Sequence, residues 1–273
     1  MLLITDFEDY LKSIGIKESS MKKYLGTIQQ IPSDIMSDAN KINFFLSERN
    51  REYNDATMYY AVIRHYLRMI NRYDILRKIK YPRIKRLKRV PTYLEISEVY
   101  KILDNIAQEN YKVAGYVQLF GGMRSFEVMS IKRKDISMLN DMFIIVVRSA
   151  KRDPYESVIV GKGYEVLINY LNRHEFHDDQ LVFAKKTNSR DIETMIRTNT
   201  RYYQQAIRDS AKELGYIFRS HDLKRNLARY LRYEKNLAIE EVKEALHHSK
   251  IETTMRYVGK VNRDRIISAL KTT

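Results

Sequence analysis

The sequence predicts a mainly α-helical protein with one small antiparallel β-sheet, an α+β chain divided into two parts. Three observations carry this: apolar stripes at helical spacing before residue 82, one stretch of strand-like alternation at 142–161, and a return to helical patterning from about residue 192. In the first part, TDFEDYLKSIG (5–15) supplies a first helix. Ser19 or Ser20 is expected to cap a second, which carries Met21, Tyr24, Leu25 and Ile28 at i, i+3, i+4 and i+7. INFFLSER (42–49) supplies a third. Asn54 or Asp55 is expected to cap a fourth, with Tyr59, Val62, Ile63, Tyr66 and Ile70 on one face. Four short helices make a small bundle over residues 1–81, and its aromatic stripes read as core rather than as base-stacking platforms.

Residues 82–91, PRIKRLKRVP, place two prolines around Arg83, Lys85, Arg86, Lys88 and Arg89, with no acid among them. The prolines disfavour a continuous helix, and the charge resists burial. The segment reads as a linker pressed against a phosphate backbone. Beyond it, over 92–273, YLEISEVYKILDNI (93–106) and YKVAGYVQLFGG (111–122) are helix-like, the second ended by Gly121 and Gly122. MFIIVVRSAKRDPYESVIVG (142–161) reads as strand, basic turn and strand, with Pro154 in or beside the loop. QLVFA (180–184) is the candidate third strand.

Composition narrows the partners. The chain has 273 residues, 44% hydrophobic and 30% charged, with a formal net charge of +15. Such an excess calls for a polyanion, of which nucleic acid is the commonest. With no cysteine, disulfides, thiolate zinc sites and iron–sulfur clusters are excluded, which fits an intracellular, cytoplasmic protein. MLLITDFEDY turns acidic after four residues, so no secretory leader is expected. The apolar run MFIIVV is far short of the ~20 residues a membrane helix needs. The expectation is a soluble protein with no membrane partner.

Chemistry gathers in the second part. Arg124 follows Gly122 and Met123 at a helix start, where its planar fork of donors and the helix dipole suit a phosphate. Glu127 and Asp135 are expected to be buried partners that hold this arginine and tie down the turn. Lys151 lies at the hairpin tip, where an ammonium could protonate a departing 5′-hydroxyl; Arg152 beside it competes for that role. His221 opens HDLKRNLARYL at a helix N-terminus, with Lys224 at i+3 near it and Arg225 next in sequence. His248 follows, and Tyr257 stands nine residues beyond it in HHSKIETTMRYVG. Although His247 and His248 are adjacent, no further histidine or carboxylate lies at ligand spacing, so no metal is expected. Taken singly, each of these residues has an ordinary structural reading. The ordered set of Arg, Lys, His, His and Tyr suits attack of a phenol on a phosphodiester.

That set resembles the tyrosine recombinase, or phage integrase, family over most of 92–273. G-x-R-x-x-E at 122–127 with Asp135 matches the family's first-arginine box, and Lys151 occupies the β-hairpin position. HDLK matches the H-x-x-R box, and LHHSKIETTMRY matches the His-to-Tyr box. The resemblance implies that the N-terminal bundle and linker are a core-site DNA-binding domain closing with the catalytic domain around double-stranded DNA. It also implies a compact Xer-like or mobile-element member without an additional arm-binding domain. By the same resemblance Tyr257 forms a 3′-phosphotyrosyl bond and Arg124 stabilises the non-bridging oxygens. Lys151 protonates the 5′-oxygen, and His221 and His248 orient groups or exchange protons. No cofactor, metal or ATP is needed, and a homotetramer on two sites performs strand exchange, integrating, excising or resolving dimers.

One position departs from the family. The second arginine of its box is Lys224 here, and lysine lacks the bidentate fork. Lys224 could fill the role, Arg225 could enter instead, or the enzyme could be impaired. The alternatives are accordingly a recombinase-fold DNA-binding protein without strand exchange, and a type IB topoisomerase-like enzyme relaxing supercoils as a monomer. After Tyr257, Ile266, Ile267 and Leu270 give the tail a short amphipathic helix, expected to dock into a neighbouring protomer.

Overall fold

The computed structural model describes residues 3–52, 55–82, 93–149, 152–187 and 191–259. The linker residues Arg83, Lys85, Arg86, Lys88 and Arg89, the hairpin-tip Lys151, Asn54 and the tail with Ile266, Ile267 and Leu270 lie outside them. The chain divides into two compact units, Met1–Arg89 and Val90–Thr273.

The first unit contains α1 (Ile4–Ser13), α2 (Glu18–Ile28), a 3-10 turn (Ser33–Ser37), α3 (Ala39–Glu52), α4 (Ala56–Met69) and the single turn α5 (Tyr73–Leu76). Phe7, Leu11, Ile28, Ile42, Leu46, Val62, Ile63 and Leu67 form its core together with Tyr59 and Tyr66, so the aromatic stripe on α4 faces inward. Burying each large apolar side chain contributes about 1.5–3 kcal/mol, which is what holds such short helices together. The expected serine cap of α2 is not there: the helix starts at Glu18, which puts Ser19 and Ser20 inside its first turn. Asp55 does stand at the N-cap of α4, but its side chain makes no cap bond. Its carboxylate takes the Arg49 guanidinium instead, and Arg49 also donates to the Tyr59 hydroxyl at 2.9 Å. A charge-assisted pair outcompetes a single capping bond.

The second unit runs α6 (Ile96–Asp104), α7 (Glu109–Gly121), α8 (Ser125–Met129), β1 (Ile136–Leu139), β2 (Met142–Ser149), β3 (Arg152–Ile159), α9 (Lys162–Arg173), α10 (Ile192–Glu213), α11 (Ser220–Arg229), a π-helical turn (Tyr230–Glu234), α12 (Ile239–Ala245) and α13 (Ile251–Val258). The fold is mainly helical with a small antiparallel sheet, as the sequence predicts. The sheet order is β1-β2-β3, with Ile136 opposite Ile145 and Phe143 opposite Ile159. On β2 the alternation is literal: Phe143, Ile145 and Val147 are buried and their neighbours are not. Pro154 sits within β3, near its start.

The third strand is β1, not QLVFA. Residues 180–184 make only an isolated bridge, Lys132 with Leu181. Leu181, Val182 and Phe183 are buried, but side chains take up their carbonyls: Tyr170 donates to Val182 O and Asn110 to Phe183 O. A buried backbone group needs a partner of some kind, and here the partner is not a strand. β1 escapes sequence reading because only Ile136 of its four residues is buried, which leaves no alternation to detect. α9 likewise has no counterpart in the sequence reading.

Candidate active site

α7 ends at Gly122, whose φ of +57° is left-handed. A Cβ there would lie 2.8 Å from the Ala245 carbonyl oxygen and 3.3 Å from Leu246 Cα. Glycine therefore does two things at once. It accepts the backbone conformation, and it lets the end of α7 approach the end of α12. Arg124 stands at the N-cap of α8. Its amide donates to Glu127 Oε2 at 2.7 Å and its Nη1 to Oε1 at 2.9 Å. Tyr155 on β3 donates to the same carboxylate at 3.1 Å. Glu127 is 2% exposed, so one buried anion gathers the arginine, the start of α8 and the hairpin. The expectation that Asp135 helps hold Arg124 needs correction. Asp135 is buried, but it accepts from the Lys132 amide at 3.1 Å and from Arg148 at 3.3 Å; it ties down the turn and leaves the arginine to Glu127.

α11 is fastened to α8 through hydroxyls. Ser125 donates to Ser220 at 2.9 Å, Gln118 donates to Ser220 O at 3.1 Å, and Tyr203 donates to Gln118 at 2.6 Å. All four residues are buried, and a fully satisfied polar cluster in a low-dielectric interior fixes geometry tightly. It brings the N-terminus of α11, with His221 at its second residue, beside Arg124. None of the four was legible as a site residue, because a lone Ser or Gln carries no pattern.

α12 is followed by a turn through Leu246 and His247, the latter with φ +52°. The turn sends the adjacent histidines different ways. The His247 ring packs 4.1 Å from that of Tyr155. His248 is buried and its Nδ1 is 3.0 Å from the Thr254 hydroxyl on α13. Its ring meets Tyr257 edge-on at 4.7 Å. Tyr257 lies in the last turn of α13, and its hydroxyl is hydrogen-bonded to His221 Nε2 at 2.5 Å.

The electrostatics follow from this packing. Burial lowers His221, and Arg225 lowers it further, to about 4. The residue as a whole keeps an exposed surface, yet its Nε2 edge is closed off by the phenol. A neutral imidazole at pH 7 can accept the Tyr257 proton. Burial raises Tyr257, while Arg225 first, then Arg124 and Arg256, pull it back. Arg225 pairs with the buried Asp222 at 2.8 Å, and its guanidinium carbon is 5.6 Å from the Tyr257 ring centre. Lys224, one residue earlier, is 1% exposed, and its charge also lowers His221. Among the described residues, no group of three or more His, Cys, Asp or Glu is placed to hold a metal. Nor is any described helix long and apolar enough to cross a membrane.

Arg124, Arg225, His221, His248 and Tyr257 thus come together from four separated stretches of chain, and Lys224 is buried on the same helix as His221. A neutral base, a phenol and two guanidiniums form a site for nucleophilic attack on an anionic ester, the chemistry of a tyrosine-type DNA strand transferase. The chain belongs to the phage integrase family, whose profile matches residues 92–263. It is 23% identical over 284 residues to tyrosine recombinase XerH of Campylobacter jejuni, covering 93% of this chain and 71% of that protein. A tyrosine recombinase of Pseudothermotoga lettingae is 22% identical over 288 residues, covering 96% and 95%. Among solved structures, a lambda integrase dimer bound to a COC' core site superposes with a TM-score of 0.69 at 17% identity, over 94% of each chain. That likeness speaks for the shared fold.

Proposed function

We propose that this protein is a site-specific DNA recombinase in which Tyr257 attacks a backbone phosphate. Tyr257 Oη bonds to phosphorus as its proton passes to His221 Nε2, the phosphorus–O5′ bond breaks, and a 3′-phosphotyrosyl link remains. Arg124 and Arg225 stabilise the charge on the non-bridging oxygens, and His248 holds the phenol ring edge-on. Lys151 protonates the leaving 5′-oxygen. A 5′-hydroxyl from a partner strand then attacks the phosphotyrosyl phosphorus, expels the tyrosine oxygen and restores the phosphodiester. The covalent link conserves the bond energy, so neither ATP nor a metal enters the balance.

The observation that carries this reading is the 2.5 Å hydrogen bond from Tyr257 to a histidine held neutral. Arg225 fills the role of the family's second arginine: Asp222 holds its guanidinium at 2.8 Å, and that group lies 5.6 Å from the Tyr257 ring centre. Residues 1–81 bind the core DNA site, and the basic linker at 82–91 follows the backbone with Arg83, Lys85, Arg86, Lys88 and Arg89. Four protomers on two duplexes exchange strands in the cytoplasm, with the tail after Tyr257 docking between protomers. A net charge of +15 makes DNA affinity fall steeply with salt.

The test is incubation with nicked suicide duplexes of flanking DNA. A denaturation-resistant protein–DNA adduct is expected, and its loss in Tyr257→Phe identifies the nucleophile. Salt-sensitive binding with no adduct would overturn the reading and leave a DNA-binding module.

A further inference from the structure

Tyr93 begins the described part of the second unit, and three contacts converge on it. Its hydroxyl donates to the backbone oxygen of Tyr257 at 3.3 Å. The Arg229 guanidinium carbon of α11 lies 4.1 Å from its ring centre. The next residue, Leu94, donates its amide to Asn226 Oδ1 at 2.8 Å, and Asn226, 3% exposed, donates in turn to Asp222 O at 2.9 Å. One short extended segment is therefore bound to α11, which carries His221 and Arg225, and to α13, which carries Tyr257.

The backbone of α13 explains why this contact matters. The helix is eight residues long, and carbonyls in its last turn lack intrahelical donors. The Tyr93 hydroxyl supplies a donor to one of them, at the very residue whose side chain meets His221. Space for the contact depends on Gly259, which has φ +81° and where an added Cβ would lie 2.9 Å from the Tyr93 hydroxyl. The glycine ends the helix and also admits the tyrosine.

We propose that Tyr93 is a positioning residue for the strand-cleavage reaction: it clasps the last turn of α13 to α11 and so sets the Tyr257 hydroxyl against His221. The inference rests on Tyr257 being the nucleophile. A two-turn helix held at its C-terminus cannot roll about its axis. Released there, it carries the phenol away from Nε2 without disturbing the core of the unit.

Tyr93→Phe tests this, since it removes the hydroxyl but keeps the ring beneath Arg229. Single-turnover adduct formation on the nicked duplex is measured beside equilibrium DNA affinity, from about pH 7 to about pH 9.5. The expected result is unchanged affinity and cleavage slowed about five- to tenfold near neutrality, the worth of one modest hydrogen bond. Tyr257 is raised above the ordinary phenol range by burial, so it stays protonated across this window and the deficit is expected throughout it. Cleavage at the wild-type rate overturns the clasp. So does a deficit matched by lost affinity, since that marks a structural defect. If the wild-type protein itself forms no adduct, the nucleophile assignment fails and the clasp falls with it; an adduct made equally well by both proteins removes the clasp alone.

Discussion

Replacing Arg225 with glutamine removes a cation beside the nucleophile and leaves a shorter, neutral donor. Its guanidinium carbon is 5.6 Å from the Tyr257 ring centre. A phosphate joined to the phenol oxygen would stand roughly 5 Å from it, and two unit charges at that separation interact by about 3 kcal/mol at an effective dielectric near 20. Losing one strong transition-state donor typically costs about 2.7–4 kcal/mol. The two figures agree, so Arg225→Gln is expected to slow cleavage by about 100- to 1,000-fold. Arg225→Lys, which keeps the charge without the fork, falls between. The arginine also neutralises Asp222, which is fully buried, so the urea midpoint is measured first and rates are compared where the variant is folded. Lys224→Met is the control. Lys224 is buried and acts on His221 but is not among the charges that shift Tyr257, so its loss is expected to slow the single-turnover rate less than Arg225→Gln does. Wild-type cleavage in Arg225→Gln with none in Lys224→Met would refute the assignment and return the role to the lysine.

Gly122→Ala forces a left-handed residue to carry a Cβ 2.8 Å from a backbone oxygen. It is expected to lower stability by at least about 2 kcal/mol by urea denaturation and to slow cleavage by displacing Arg124; a shift below about 0.5 kcal/mol would count against the close approach. Tyr155→Phe removes a 3.1 Å donor to the buried Glu127 carboxylate, and the cost expected for a bond to a charged group is about 2 kcal/mol. His221 has a folded pKa near 4, below its unfolded value of about 6.5. Between these values the unfolded chain binds more protons, so stability is full above about pH 6.5 and falls as pH drops toward 4. His221→Gln should flatten that part of the stability curve, and wild-type cleavage should hold down to acidic pH before failing. An acid limb near neutrality would contradict a neutral His221.

The order of the chemistry was readable in the chain because motif spacing survives folding. Arg124 with Glu127, His221, His248 and Tyr257 all reach one site, and the helix that carries His221 is recognisable from its apolar face. Polar groups without a pattern were not readable. Ser125, Ser220, Gln118 and Tyr203 join α8 to α11, Tyr155 reaches Glu127 from the hairpin, and Tyr93 reaches α13 across 164 residues of sequence. Each contact depends on distant segments meeting, which local propensity does not encode. QLVFA was taken for a strand for the related reason that a short buried apolar run looks the same whatever satisfies its backbone.

The adjacent pair at 224 and 225 shows where the boundary falls. Helical periodicity puts i+3 and i+4 alike on the face of His221, so the sequence by itself determined that a cation accompanies the histidine and left open which one. Neighbouring residues on a helix point about 100° apart, so the two cations meet different neighbours. Packing sets the two cations in different surroundings: Lys224 is buried with Leu223 and Leu227, whereas Arg225, anchored by Asp222, lies 5.6 Å from the Tyr257 ring centre.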